Sequence, residues 1–332
     1  MQATREDANK TRYVAGQKQG HYESYFLRAN HPAKPQAFWI RYTIFSPNDE
    51  PDKAIGEVWA MVFDKETGKH TAAKNEVPIT QTSFSKSGLQ SKIGDCTLDG
   101  GALKGSAKTG GNEISWDLVY TGYAPPLLLL AEKLYEAGLP KAKACVPLPF
   151  ASFSGAITVN DQEWKLEEWI GSQNHNWGTK HTDLYAWGQV AGFDNSPDSF
   201  LELATARLKF GPVWTPYMTV VVLRHKGKEY ALNTIPQSLK AQGKFDYFTW
   251  NFNSKSKDFS IKGRVEAQVE DFVGLTYYNP PGGVKHCLNS KIARCEIDLI
   301  DNYGETAHLY TNNRAAFEIL TDKRDHGVKI MV

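Results

Sequence analysis

Apolar and polar residues alternate with a period of two along most of the chain. In NEISWDLVYT, Ile114, Trp116, Leu118 and Tyr120 fall on one face, with Glu113, Ser115, Asp117 and Thr121 on the other. Ile55 to Phe63, Phe153 to Val159 and Phe259 to Val265 repeat the pattern, which is that of half-buried β-strands. Turn signals separate them: Ser46-Pro47-Asn48-Asp49, Thr109-Gly110-Gly111-Asn112 and Asn279-Pro280-Pro281-Gly282-Gly283, with a hairpin tip at Lys255-Ser256-Lys257. Many short strands joined by polar turns predict an all-β protein of barrels or sandwiches. One segment departs from the pattern. PPLLLLAEKLYEAGLPKAK opens on proline, continues with good helix formers from Leu127 to Ala137 and reaches a plausible stop at Gly138. It predicts the one substantial helix, around Pro126 to Ala137, lying as a plug or strap against a barrel.

The length, 332 residues, admits about two domains. Strand density is similar on either side of residue 180, so the expected division is 1–180 and 181–332, each the size of one barrel of eight to ten strands. The net charge of +1 provides no field to attract nucleic acid or anionic lipid, and no basic strip interleaved with aromatics is apparent. No nucleic-acid partner is expected. The four cysteines, Cys96, Cys145, Cys287 and Cys295, form no C-x-x-C and read as buried thiols. The N-terminus lacks an apolar leader, and the most apolar run, Leu127 to Ala131, is far short of the roughly 18 residues of a membrane span. The expectation is a cytoplasmic chain without an integral membrane segment.

Phosphate-binding glycine loops, a dinucleotide fingerprint and a nucleophile elbow are all missing, so no nucleotide cofactor is expected. The densest chemistry lies in EEWIGSQNHNWGTKHTDLYAWGQV, Glu167 to Val190. Its first part, with two glycines and two asparagines, reads as a tight connection, in which His175 and Asn176 would cap backbone groups. Leu184 to Val190 then reads as a strand with Tyr185, Trp187 and Gln189 on one face. Two aromatics and an amide suit a cavity wall, although tryptophans in a barrel are as readily core. His175 and His181, six residues apart, suit neither helix nor strand as a metal pair, and no metal is expected.

The run LPKAKACVPLPFASFSGAITVNDQEWKLEEWIGSQNHNWG followed by YAWGQ resembles the AttH/carotenoid hydratase superfamily, which also takes in tocopherol cyclase and a group of natural-product Diels–Alderases. The matching pieces are Pro147 to Pro149, the F-S-G-x-I strand at Phe153 to Ile157, His175-Asn176-Trp177-Gly178 and Trp187-Gly188-Gln189. YESYFLRA at Tyr22 to Ala29, AFWIRYTIF at Ala37 to Phe45 and HCLNS at His286 to Ser290 extend the likeness over nearly the whole chain. The resemblance implies two lipocalin-like antiparallel barrels in tandem, flanking or enclosing an apolar cavity. It also implies chemistry on polyenes or isoprenoids without an organic cofactor.

Hydration or cyclisation of such a molecule requires a buried acid to protonate a double bond, and aromatic faces to hold the cation. Asp183, Glu202 and Glu23 are the candidate acids. Glu202 shares a strand face with Phe200, Ala204 and Ala206, unless it pairs with Arg207 or Arg224. Asp183 stands at the head of the aromatic strand or caps a turn. Glu23 lies between Tyr22 and Tyr25, as a substrate contact or on an exposed face. The expected function is proton-initiated hydration or cyclisation of a hydrophobic polyene or isoprenoid-like molecule. Asp183 or Glu202 would be the acid, held by His175 and Asn176; Trp177, Tyr185, Trp187, Gln189 and Tyr217 would line the cavity. A non-catalytic carrier of a lipid or pigment and a pericyclase are the rival readings.

Overall fold

The computed structural model describes residues 4–332. Nearly all of it is antiparallel β-structure in two large sheets. The first contains twelve strands and nearly closes into a barrel. Its path starts at Lys69–Pro78 and steps back through Ile55–Asp64 and Gln36–Ser46 to His21–Asn30. It then crosses to Gln162–Gly178 and Ala142–Val159, and continues through Asn112–Thr121 and Ala102–Thr109 to three short strands. Side chains seal the gap. Thr109 Oγ1 accepts from the Lys74 amide at 2.9 Å and donates to its carbonyl at 2.6 Å, while Asn75 bonds the backbone of Ser106 and Lys108.

The second sheet, of ten strands, repeats the winding. Lys228–Leu232, Met218–His225, Ser196–Arg207 and Leu184–Phe193 form the same backward meander. Leu184–Phe193 then pairs with Thr306–Thr321, next to Val284–Asp301. In each half the first strand thus joins the last. The last strand of the first sheet ends at Gly178 and the first of the second begins at Leu184.

Each sheet wraps its own core. Tyr25, Leu27, Ile40, Trp116 and Phe153 fill the first; Leu201, Leu203, Trp250, Leu288 and Phe317 fill the second. The alternate side chains of the central strands do not meet water, because the two sheets stand back to back. Phe26, Trp39, Trp187, Ala316 and Leu320 form a separate cluster between them. His21–Asn30 is accordingly buried at every position, and so are nine of the ten residues of Ile55–Asp64. Of the strands read as half-buried, Ile55–Asp64 is thus buried on both faces, whereas Asn112–Thr121 and Phe259–Glu266 keep the expected alternation.

Two expectations are corrected. Glu167 to Gly178 is no tight connection but the second half of the seventeen-residue strand Gln162–Gly178. Gly171 serves close strand approach rather than a turn: a Cβ there would lie 1.7 Å from the carbonyl oxygen of Arg28. The predicted helix shrinks to one turn, Lys133–Glu136, and Leu127–Leu128 instead pairs with Cys145 and Val146. An isolated helix of about eleven residues is marginal, and these leucines find burial in different places: Leu127 beside Phe200, Leu129 beside Trp39 and Trp187. The segment is a strap, as expected, but mostly an extended one. Two further short helices, Arg5–Asn9 and Ile235–Lys240, flank the sheets. All four cysteines are free and buried. No helix among the described residues is long and apolar enough to cross a membrane.

Gly171→Ala is expected to lower stability by about 2 kcal/mol or more in urea denaturation, since the obstructing atoms are backbone and cannot rotate away. An unchanged midpoint would contradict the close packing of these two strands.

Candidate active site

A cavity of about 330 Å³ lies between the sheets, not inside either barrel. Phe26, Trp39 and Asn174 come from the first sheet, Tyr185, Trp187 and Glu202 from the second, and Leu129, Leu130, Leu134 and Leu139 from the strap. Most of this lining is apolar. Glu202 interrupts it.

Strand register explains why Glu202 points here. It lies opposite Gln189 on the neighbouring strand, and both project from the outward face of the second barrel toward the first. Glu202 Oε1 accepts from Trp187 Nε1 at 2.8 Å and Oε2 from Gln189 Nε2 at 2.7 Å. Gln189 is itself anchored: its oxygen accepts from Arg28 Nε at 2.9 Å and Ser172 Oγ at 2.7 Å, and its amide also donates to Asn174 Oδ1 at 2.7 Å. Arg28, fully buried, completes its bonds on Asn30 Oδ1 and backbone carbonyls. Neither Arg207 nor Arg224 pairs with Glu202; they bond Thr215 and Glu229.

Burial raises the Glu202 carboxyl to about 7. Bonds from Trp187 and Gln189 and the charge of Arg28 oppose the rise, and the charge of Glu318 adds to it. Movement from 4.5 to about 7 corresponds to about 3 kcal/mol in favour of the protonated form. Desolvation therefore wins, and a substantial fraction of this carboxyl carries a proton at neutral pH.

Glu23 is the opposite case. It is buried, not on an exposed face, and it does not line the cavity. Arg12 and Tyr13 donate backbone N–H groups to it at 2.7–2.9 Å; His175 and His21 approach at 2.8 and 3.0 Å. Burial alone would raise this carboxyl, but the bonds from His175 and His21 outweigh it and hold Glu23 well below the usual carboxylate range. It is a carboxylate that fixes the N-terminal segment, with no proton to give.

The remaining predicted residues divide. Tyr185 and Trp187 line the cavity, and Gln189 reaches it through Glu202. Asn176 lines it too, with a buried Oδ1 that has no hydrogen-bond partner. His175 contributes to the wall, but its ring does not hold the acid. Nδ1 lies 2.7 Å from the Ala8 carbonyl and Nε2 faces Glu23, two acceptors that occupy both nitrogens. Trp177 sits behind it, packed on His175 and under the Arg12 guanidinium, outside the cavity. Asp183 is likewise outside: it pairs with Lys180 at 2.6 Å and accepts from the Lys209 amide, so it is the turn cap rather than the acid. Tyr217 packs on Phe245 and Arg207, away from the lining.

The sequence reading did not single out Arg41 and Glu318, both of which line the cavity. The signal for both is a lone charge within an apolar strand, FWIRYTI and AAFEILT. Glu318 is held by Lys291 at 2.7 Å and Asn289 at 3.0 Å. No three His, Cys, Asp or Glu side chains gather at metal-binding distances among the described residues.

No family model matches the chain. Two uncharacterized proteins of Mycobacterium tuberculosis, from strains CDC 1551 / Oshkosh and ATCC 25618 / H37Rv, are each 23% identical over 284 residues, covering 84% of this chain and 82% of theirs. Among solved structures, a Nitrosomonas europaea protein assigned as AttH superposes with a TM-score of 0.55 at 12% identity, covering 91% of this chain and 92% of its own. Kievitone hydratase from Nectria haematococca superposes at a TM-score of 0.55 and 11% identity, over 97% of this chain and 98% of that one. At such identities the likeness establishes the fold alone, and the chemistry must come from the residues.

Glu23→Gln is expected to cost about 3 kcal/mol of stability, because it withdraws the buried carboxylate on which His175, His21 and two backbone amides converge. Trypsin should then cleave after Lys10 or Arg12, sites protected in the parent protein. Unchanged stability and protection would contradict the anchoring role.

Proposed function

We propose that this protein is a cofactor-independent enzyme that hydrates or cyclises a hydrophobic, polyene- or isoprenoid-like small molecule, with Glu202 as the proton donor. The observation that carries the reading is Glu202 itself: a buried carboxyl raised to about 7 in the wall of a largely apolar cavity. An acid poised near the working pH is what general-acid transfer to a weakly basic carbon requires.

The step balances within the site. Glu202 gives its proton to one carbon of a double bond, and a cation forms at the other. The carboxylate left behind keeps its bonds from Trp187 and Gln189, which strengthen as its charge develops. The rings of Phe26, Trp39, Tyr185 and Trp187 offer π-faces to the cation. In hydration, water attacks the cation and surrenders a proton to Glu202, which is thereby restored. The unpartnered Oδ1 of Asn176 is an acceptor for that water. In cyclisation a second double bond captures the cation, and a neighbouring C–H proton returns to the carboxylate. Kievitone hydratase, on the same fold, supports hydration over closure. A passive carrier or a pericyclase has no need of a protonated carboxyl in the wall, and so Glu202 favours acid chemistry over either.

The test is turnover of a set of acyclic isoprenoid alcohols and acids in D₂O, read by mass spectrometry for deuterium at carbon. Glu202→Gln should lower turnover by about 100-fold or more while binding persists. Deprotonation disables a general acid, so the parent rate should be level below about pH 6 and fall about tenfold per pH unit above about 7. Turnover that survives Glu202→Gln, or rises above pH 7, would overturn the assignment.

A further inference from the structure

Arg41 stands in the cavity wall without an anionic partner. It is 4% exposed, and its Nε makes no hydrogen bond. Its hydrogen bond runs from Nη2 to Ser24 Oγ at 2.6 Å, and its guanidinium lies over the Tyr277 ring at 4.4 Å. The carboxylates nearest in influence, Glu57 and Glu318, pair with lysines instead: Glu57 with Lys74 at 2.6 Å, which it shares with Glu76, and Glu318 with Lys291 at 2.7 Å. The cation whose charge acts on Glu202 is Arg28, not Arg41. Among the described residues Arg41 thus makes no ion pair of its own, and its Nε is unsatisfied, in the wall of a cavity that a ligand can enter.

The surroundings favour an anion. Tyr22, His181 and Tyr277 share this end of the cavity, and a polar annex of about 10 Å³ opens beside it, reaching Thr43 and Glu57. His181 stacks on Tyr22 with ring centroids 3.9 Å apart. Burial, with the charges of Arg41 and Lys285, lowers His181 to about 3, so its ring is neutral and adds no second cation. One guanidinium beside neutral polar rings, with the Glu57 carboxylate in the annex, suits a singly charged anion rather than a phosphate monoester.

The two charged groups stand apart in the site. Arg41 pairs with Phe26 and Phe26 with Asn174, so the Cα atoms of Arg41 and Asn174 are two interstrand spacings apart, about 10 Å. Asn174 is joined in turn to Glu202 through the Gln189 amide by two bonds of 2.7 Å. The second strand of each sheet thus contributes one of them to the lining: Arg41 from Gln36–Ser46 and Glu202 from Ser196–Arg207.

We propose that Arg41, with the phenols of Tyr22 and Tyr277, is an anion subsite, and that the hydrophobic ligand carries a single carboxylate set apart along its chain from the double bond that meets Glu202. This rests on the reading of the cavity as a small-molecule site and adds the chemical class of its occupant. Arg41 holds the ligand's head, which fixes the depth at which its chain meets the acid.

Farnesoic acid and farnesol share one isoprenoid chain and differ in the charged group, so their affinities separate the two claims. Binding is read by quenching of the cavity tryptophans, for the parent protein, Arg41→Met and Arg41→Lys. The parent should prefer the carboxylate by about tenfold or more, the scale of a charge-assisted hydrogen bond. Arg41→Met should hold the two within about twofold of each other while still binding farnesol, which also reports that the cavity is intact; Arg41→Lys should restore part of the preference. Equal affinities in the parent protein, or a preference that survives Arg41→Met, would overturn the anion subsite and leave the small-molecule cavity standing. Failure of the parent to bind either compound would overturn both.

Discussion

Exclusion of water from the seam between two sheets is the constraint from which the chemistry follows. A strand on the outside of an isolated barrel would present its alternate side chains to solvent, and Glu202 there would be an ordinary carboxylate. Here the outward face of one barrel is covered by the outward face of another. The apolar contacts of Phe26, Trp39, Trp187 and Leu320 hold that seam closed. Burying a charge without a full set of partners is unfavourable, and the carboxyl answers by keeping its proton.

Glu23 and Glu202 show that burial alone does not decide the outcome. Both are shut away from water. Glu23 receives two backbone amides and faces two imidazoles, enough to hold it ionised against the desolvation that opposes it. Glu202 receives one indole and one amide, which moderate the rise without cancelling it. The same residue type, on strands of similar character, becomes an anchor in one place and an acid in the other. The difference lies in the donors that converge on each carboxyl, two of those on Glu23 coming from the N-terminal segment.

The all-β character, the principal turns and the outward face shared by Tyr185, Trp187 and Gln189 were legible in the period-two pattern, because alternation survives whatever covers the second face. What covers that face was not legible. Arg28, Arg41 and Lys291 have the appearance of solvent-facing charges in ordinary strands, and their burial depends on a neighbour more than a hundred residues away. Asn-rich SQNHNWG looked like a connection because its amides suit turns; in the strand Asn174 donates along the chain to Ser172 and accepts across the seam from Gln189. The leucine-rich strap looked helical because local propensity favours a helix, whereas its leucines are claimed separately by the seam and the cavity. Glu202 was within reach of the sequence reading as a lone acid among apolar neighbours; the bonds by which Arg28 and Asn174 anchor Gln189 beside it were not.

The protonation of Glu202 is the claim most directly open to measurement, because it needs no substrate. A carboxylic acid and a carboxylate absorb in separate regions of the infrared, so a difference titration of the parent protein against Glu202→Gln isolates this one group. The account predicts a carboxyl band that disappears with a midpoint near 7 and is missing from the variant. A parent protein whose every variant-sensitive carboxyl has ionised by about pH 5, the ordinary range for glutamate, would contradict it.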